Sequence, residues 1–164
     1  MKKLAVLILF ILGFISCGEK KVEEVKEDNS KALVDLKKLP KKVKPSEEAM
    51  LILKDWTEYN ALNSAINSVY KADTKEDLII VVEDLIEKQK LLEKSVYPQT
   101  FNRPDVKSRQ RVFKTYVLKI KSNIEFDINP REAVIEMVRA YNAYNNQFSV
   151  VVSSALDTKI LFDE

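Results

Sequence analysis

NPREAVIEMVRAYNAYNNQFSVVVSSA, residues 129–155, reads as one long helix from its first residues onward. Asn129 offers a capping side chain, and Pro130 takes the first helical position, where its missing N–H costs nothing. Glu132 stands three residues beyond the cap, placed to reach back to it. Val134, Met137, Tyr141, Tyr144, Phe148, Val151 and Ala155 then follow in alternating steps of three and four, which puts all seven on one face. The run 149–154 is rich in valine, a strand former in isolation. Seven positions in phase outweigh that preference. A helix with one apolar face must bury it, so the rest of the chain is read for partners.

Three partners precede it. Ser46 followed by Glu47 and Glu48 caps a first helix that should run to about Tyr70, with Ile52, Trp56, Tyr59, Leu62, Ile66 and Val69 along one face. After a break at 71–74, with Asp73 or Thr74 as cap, a second helix carries Leu78, Val81, Leu85, Gln89, Leu92 and Val96, with Val82 and Ile86 beside them. It ends at Tyr97-Pro98. The connection YPQTFNRP (97–104) leads to a third helix from near Asp105, presenting Val106, Arg109, Phe113, Tyr116, Val117, Ile120 and Ile124 and turning most of its basic residues outward. Short links force antiparallel neighbours. The fold predicted is all-α: an up-down-up-down antiparallel four-helix bundle over 46–157, with a short tail at 158–164 whose Ile160, Leu161 and Phe162 dock on it.

Upstream, residues 17–45 are charged, free of aromatics and punctuated by Pro40 and Pro45. They read as a mostly disordered tether, with a helical turn or two within 31–39. Residues 1–16 have a basic start at Lys2 and Lys3 and an apolar run from Leu4 to Ile15. That run is shorter than the roughly 20 residues of a membrane span and suits a signal peptide. Phe14-Ile15-Ser16-Cys17 resembles the lipobox of bacterial lipoproteins, departing from it at Phe14, where Leu is usual. The resemblance implies lipidation of the Cys17 thiol and cleavage before it. Cysteine arithmetic agrees, because Cys17 is the only cysteine and has no disulfide partner in the chain. More than one acyl chain makes such an anchor effectively permanent. The partner implied is the membrane, through lipid on Cys17, and the location is the bacterial cell envelope. The outer membrane is the favoured address, with the domain facing the periplasm or the cell surface.

Composition narrows the chemistry. The formal charge of +2 over 164 residues comes from Lys2 and Lys3. Without them the charges balance, which argues against nucleic acid, whose binding needs a concentrated basic patch. There is no histidine. That removes Ser-His-Asp and Cys-His catalysis and the metal sites that need imidazole. Glu83, Asp84 and Glu87 share part of one helix and resemble a solvated face more than a cation site. No Gly-rich phosphate loop exists. The expectation is a protein without cofactor, metal or enzymatic activity.

The segment 62–73, LNSAINSVYKAD, together with Asn142-Ala143-Tyr144, is similar to the periplasmic b-type cytochromes built as four-helix bundles, over roughly 48–148. In that family a methionine of the first helix and a histidine directly after the tyrosine grip the haem. The matching positions here are Tyr59 and Asn145, neither a good ligand for a b-type haem. The resemblance therefore supports the fold and counts against the family's activity. Haem-binding electron transfer or haem handling stays as the alternative function.

One candidate site remains. Asn60, Asn63 and Asn67 on the first helix face Asn142, Asn145 and Asn146 on the fourth if those helices are neighbours. Tyr59, Asn63, Tyr141 and Asn145 would then line a polar, aromatic cleft for a small ligand. Surface asparagines beside half-buried tyrosines are the plainer account of the same residues. The function expected is a lipid-anchored, non-enzymatic binding or interaction module whose partner is an envelope protein or a small ligand.

Overall fold

The computed structural model describes the backbone of residues 34–162 and the side chains of residues 34–155. The expected signal peptide, Cys17, the first part of the expected tether and the side chains of Ile160, Leu161 and Phe162 lie outside the described residues. Among the described residues all regular structure is helical, with no strand: α1 (Glu47–Leu53), α2 (Thr57–Val69), α3 (Lys75–Lys94), a 3-10 turn (Gln99–Phe101), α4 (Pro104–Glu125) and α5 (Arg131–Phe162).

The caps follow the chemistry of the sequence. The Ser46 hydroxyl accepts the Ala49 N–H at 3.3 Å. Thr74 and Asp77 form a reciprocal capping box at the start of α3. Asn129 Oδ1 accepts the Arg131 N–H at 2.9 Å and opens α5. The faces are mostly those expected: Leu62, Ile66, Val69, Leu78, Leu85, Leu92, Phe113, Val117, Ile120, Val134, Met137, Tyr141, Tyr144 and Phe148 are all buried.

Four expectations change. The first helix is two, because the chain leaves helical geometry at Trp56 (φ −93°, ψ 92°). The break keeps its polar groups satisfied. Asn60 Nδ2 donates to the carbonyls of Leu53 and Lys54 at 3.1 and 2.8 Å, and Trp56 Nε1 donates to Ser95 Oγ at 2.9 Å. In α3 the buried face uses Val82 rather than Val81. The helix stops at Lys94, so Val96 points into solvent at 92% exposure. In α4 Gln110 is buried where Arg109 was expected, and Arg109 is exposed. At the far end of α5, Ala155 is exposed and the helix runs through the expected tail to Phe162.

Phe148 sits at the centre of the aromatic core. Its ring lies 4.6 Å from Tyr144, 4.7 Å from Phe101, 5.4 Å from Tyr59 and 6.3 Å from Trp56. These tilted and edge-on arrangements suit the ring quadrupoles.

Candidate functional site

The residues expected to line a ligand cleft do come together, between α2 and α5. Tyr59 OH donates to Asn145 Oδ1 at 3.1 Å, and Tyr141 OH donates to Asn63 Oδ1 at 2.8 Å. What they hold is a segment of the same chain.

Residues 34–46, expected as part of a disordered tether, instead form an extended strap along the seam between α2 and α5. Its first contact is the Val34 N–H donating to the Asp73 carbonyl at 3.0 Å. A turn follows at Lys37-Lys38, with Lys38 at φ 61°, in place of the expected helical turn, and Arg131 Nη2 donates to the Lys37 carbonyl at 2.8 Å. Tyr70 OH donates to the Pro40 carbonyl at 2.7 Å. Asn142 then grips the strap twice: Nδ2 donates to the Lys41 carbonyl at 2.9 Å, and Oδ1 accepts the Val43 N–H at 2.8 Å. A strand residue pairs with a parallel neighbour in this pattern, so the side-chain amide stands in for a ladder partner. Asn145 Nδ2 donates to the Val43 carbonyl at 2.7 Å, and the Ser46 N–H donates to Ser149 Oγ at 2.8 Å. Pro40 and Pro45 keep the strap extended and give up no backbone donor it needs.

One strap side chain is read specifically. Lys42 Nζ donates to Asn63 O at 3.1 Å, to Asn63 Oδ1 at 3.2 Å and to Asn67 Oδ1 at 2.7 Å. An ammonium has three N–H donors, and three oxygens meet them. Partial burial, with Lys44 nearby, lowers its pKa from the usual lysine value. Val34, Leu36 and Leu39 pack their apolar side chains on the core. The asparagines of α2 and α5 thus serve backbone and lysine recognition within the fold. Asn60, which shared their spacing, caps α1 instead.

Tyr59 and Asn145, the positions that match the cytochrome haem ligands, are hydrogen-bonded to each other inside the core. Burial pushes the Tyr59 phenol up to about 12, so it stays protonated and offers no phenolate to iron. Asn145 spends both ends of its amide. The residues present do not fit a haem.

A second recess, of about 400 Å³, opens where α3 ends, lined by Ser95, Tyr97, Lys107, Gln110 and Arg111 among others. Lys107 Nζ lies 4.9 Å from the centre of the Tyr97 ring, and Tyr97 OH donates to Gln110 Oε1. No motif marks these residues; Ser95 Oγ is engaged by Trp56 Nε1 and the Leu92 carbonyl, and Glu93, which also lines the recess, pairs with Lys114. Of Glu83, Asp84 and Glu87 on α3, Asp84 pairs with Lys88 at 3.3 Å, and Glu83 and Glu87 are exposed. Among the described residues no group of three or more Cys, Asp or Glu is placed to hold a metal ion.

Asn145→Leu keeps the branched outline of the side chain but removes the partner of the buried Tyr59 hydroxyl and of the part-buried Val43 carbonyl. The expected loss is about 2–4 kcal/mol by urea denaturation, with faster tryptic cleavage after Lys41 and Lys42 as the strap detaches. A variant as stable and as resistant as the parent would show that the seam contributes nothing.

No protein-family model, no curated protein and no solved structure matches this chain.

Proposed function

We propose that the chain is a lipid-anchored lipoprotein of the bacterial cell envelope. It acts as a non-enzymatic helical module that binds or scaffolds another envelope component. In this reading α1 and α2 form one arm of an up-down-up-down bundle whose other arms are α3, α4 and α5. Pairs that run in opposite senses along neighbouring helices support that topology. Tyr59 meets Asn145 while Asn63 meets Tyr141, and Asp105 meets Gln147 while Phe113 meets Tyr141.

The observation that carries the functional reading is the strap. The sequence leading from Cys17 is built into the fold by hydrogen bonds to eight residues of its own domain, so whatever holds the N-terminal arm also holds the bundle. The same observation moves the favoured partner from a small ligand towards a protein, because the cleft of Tyr59, Asn63, Tyr141 and Asn145 is filled. No helix of the described residues is long and apolar enough to cross a membrane. In this reading the attachment is lipid on Cys17.

Cys17→Ala is the test. The variant should move from the membrane pellet to the soluble fraction and lose the mass of its acyl chains. Retention in the membrane with an unmodified residue 17 would defeat the anchor.

A further inference from the structure

One end of the helical domain gathers the start of the strap and an exposed apolar tip. Val34 bonds to Asp73 and Lys37 to Arg131 at this end. Lys75 is ion-paired with Asp127 of the α4–α5 loop. On either side of Asp127, Phe126 is 73% exposed and Ile128 is 56% exposed. The loop that carries them is well bonded. The Phe126 N–H donates to Ser122 O at 3.0 Å, the Asp127 N–H to Ile124 O at 3.3 Å, and the Ile128 N–H to Asn123 O at 2.7 Å. Asp127 takes the left-handed conformation (φ 53°) that closes the turn. The tip therefore presents two large apolar side chains while its amide donors are used internally, which is what a low-dielectric surface requires.

We propose that Phe126 and Ile128 form a membrane contact, entering the headgroup region of the bilayer to which the chain is anchored. The proposal rests on the lipid at Cys17. From Cys17 to Val34 the chain spans at most about 60 Å, and Val34 delivers it to the Phe126 end of the domain. A lipid surface near that end meets the tip at high local concentration, so a contact too weak to bind alone becomes occupied. Charge at this end is mixed: Lys37, Lys38 and Lys71 are exposed, and so are Asp35, Asp73, Glu76 and Glu132. The tip's own acids face cations, Asp127 against Lys75 and Glu125 against Lys121 at 3.8 Å, so the contact rests on the two apolar side chains and on where the leash arrives. Other apolar side chains are exposed too, among them Leu51 at 65% and Ile80 at 61%, but Phe126 and Ile128 are paired at a loop tip beside the start of the strap. Val96, at 92% exposure, stands at the opposite end, about 30 Å away along α3.

The test uses the full acylated chain in vesicles of phosphatidylethanolamine and phosphatidylglycerol with brominated acyl chains. Tryptophan is placed at the tip (Phe126→Trp) or at the opposite end (Val96→Trp). Both positions are exposed, and helical circular dichroism checks each variant. Native Trp56 is buried and contributes the same background to both. The Phe126→Trp signal should be quenched about threefold more than the Val96→Trp signal, because interfacial groups sit within about 5–10 Å of the acyl boundary. Equal quenching, or stronger quenching at residue 96, with the protein still floating with the vesicles, overturns the contact and leaves the anchor intact. Protein that fails to float overturns the anchor and the contact together.

Discussion

Phe148→Ala should cost about 3–5 kcal/mol of folding stability, the range for truncating a buried aromatic. The residue is fully buried and touches rings from four separate parts of the chain: Trp56 at the α1–α2 break, Tyr59 of α2, Phe101 of the 3-10 turn and Tyr144 of its own helix. Removing it leaves a cavity that no single neighbour can fill by a rotamer change. The lost edge-on pairings add to the transfer cost. A domain of this size is stable by about 5–15 kcal/mol in all, so the variant should sit near the edge of folding. In urea its midpoint should fall steeply with little change in slope, while Phe148→Leu, closer in volume, should lose less than half as much. A midpoint within error of the parent would show that the aromatic cluster is not the keystone of the core.

Alkaline pH should unfold the protein cooperatively. Burial raises the pKa of Tyr59 from 10.0 to about 12, raises Tyr141 further still, and holds Tyr144 well above the ordinary tyrosine value. For Tyr141 the neighbouring Tyr59 adds to the effect of burial. Below pH 10 these phenols are protonated in both folded and unfolded chains, and their contribution to stability is intact. Above pH 10 only the unfolded chain releases the protons, so stability falls as pH rises. Each such phenol contributes about 1.4 kcal/mol per pH unit, and three together give about 4 kcal/mol per unit. Phenolate absorbance from these three should appear together with the loss of helical signal, within about two pH units of the unfolded value. Tyr144→Phe is the sharper control. Among the described residues the Tyr144 hydroxyl has no hydrogen-bond partner, so its removal should stabilise the protein at neutral pH by about 1 kcal/mol. The same change should also lower the alkaline slope by a third. A gradual titration of all tyrosines with helix intact would contradict the burial of these rings.

Periodicity made the helices legible because an apolar face recurring every three to four residues has few other solutions. It located α5 from its cap to Phe148 and put Tyr141 and Tyr144 inside. Periodicity was blind to the break at Trp56. Ile52, Trp56 and Tyr59 keep helical spacing across it, no Gly or Pro marks it, and the group that caps it, Asn60, comes later in the chain. Gln89 fell in phase with its stripe and is buried, but Gln110 shows a related limit, since Arg109 was expected on that face in its place. The asparagines of α2 and α5 were readable as a convergent set, and Asn63 with Tyr141 and Asn145 with Tyr59 do converge. Their ligand was not readable. The strap has the charge of a linker, and nothing in KKVKP announces that its backbone amides will be counted by side chains 99 or more residues away.

The direction of the strap has a mechanical consequence. It runs parallel to α5, from Lys37 beside Arg131 to Ser46 beside Ser149, and antiparallel to α2. A pull on the chain upstream of Val34, directed away from the Asp127 end, acts along the strap's own axis. The bonds to Tyr70, Asn142, Asn145 and Ser149 then share the load in shear and cannot be unzipped one at a time. Tension of that kind meets the whole seam before it reaches the first turn of α1.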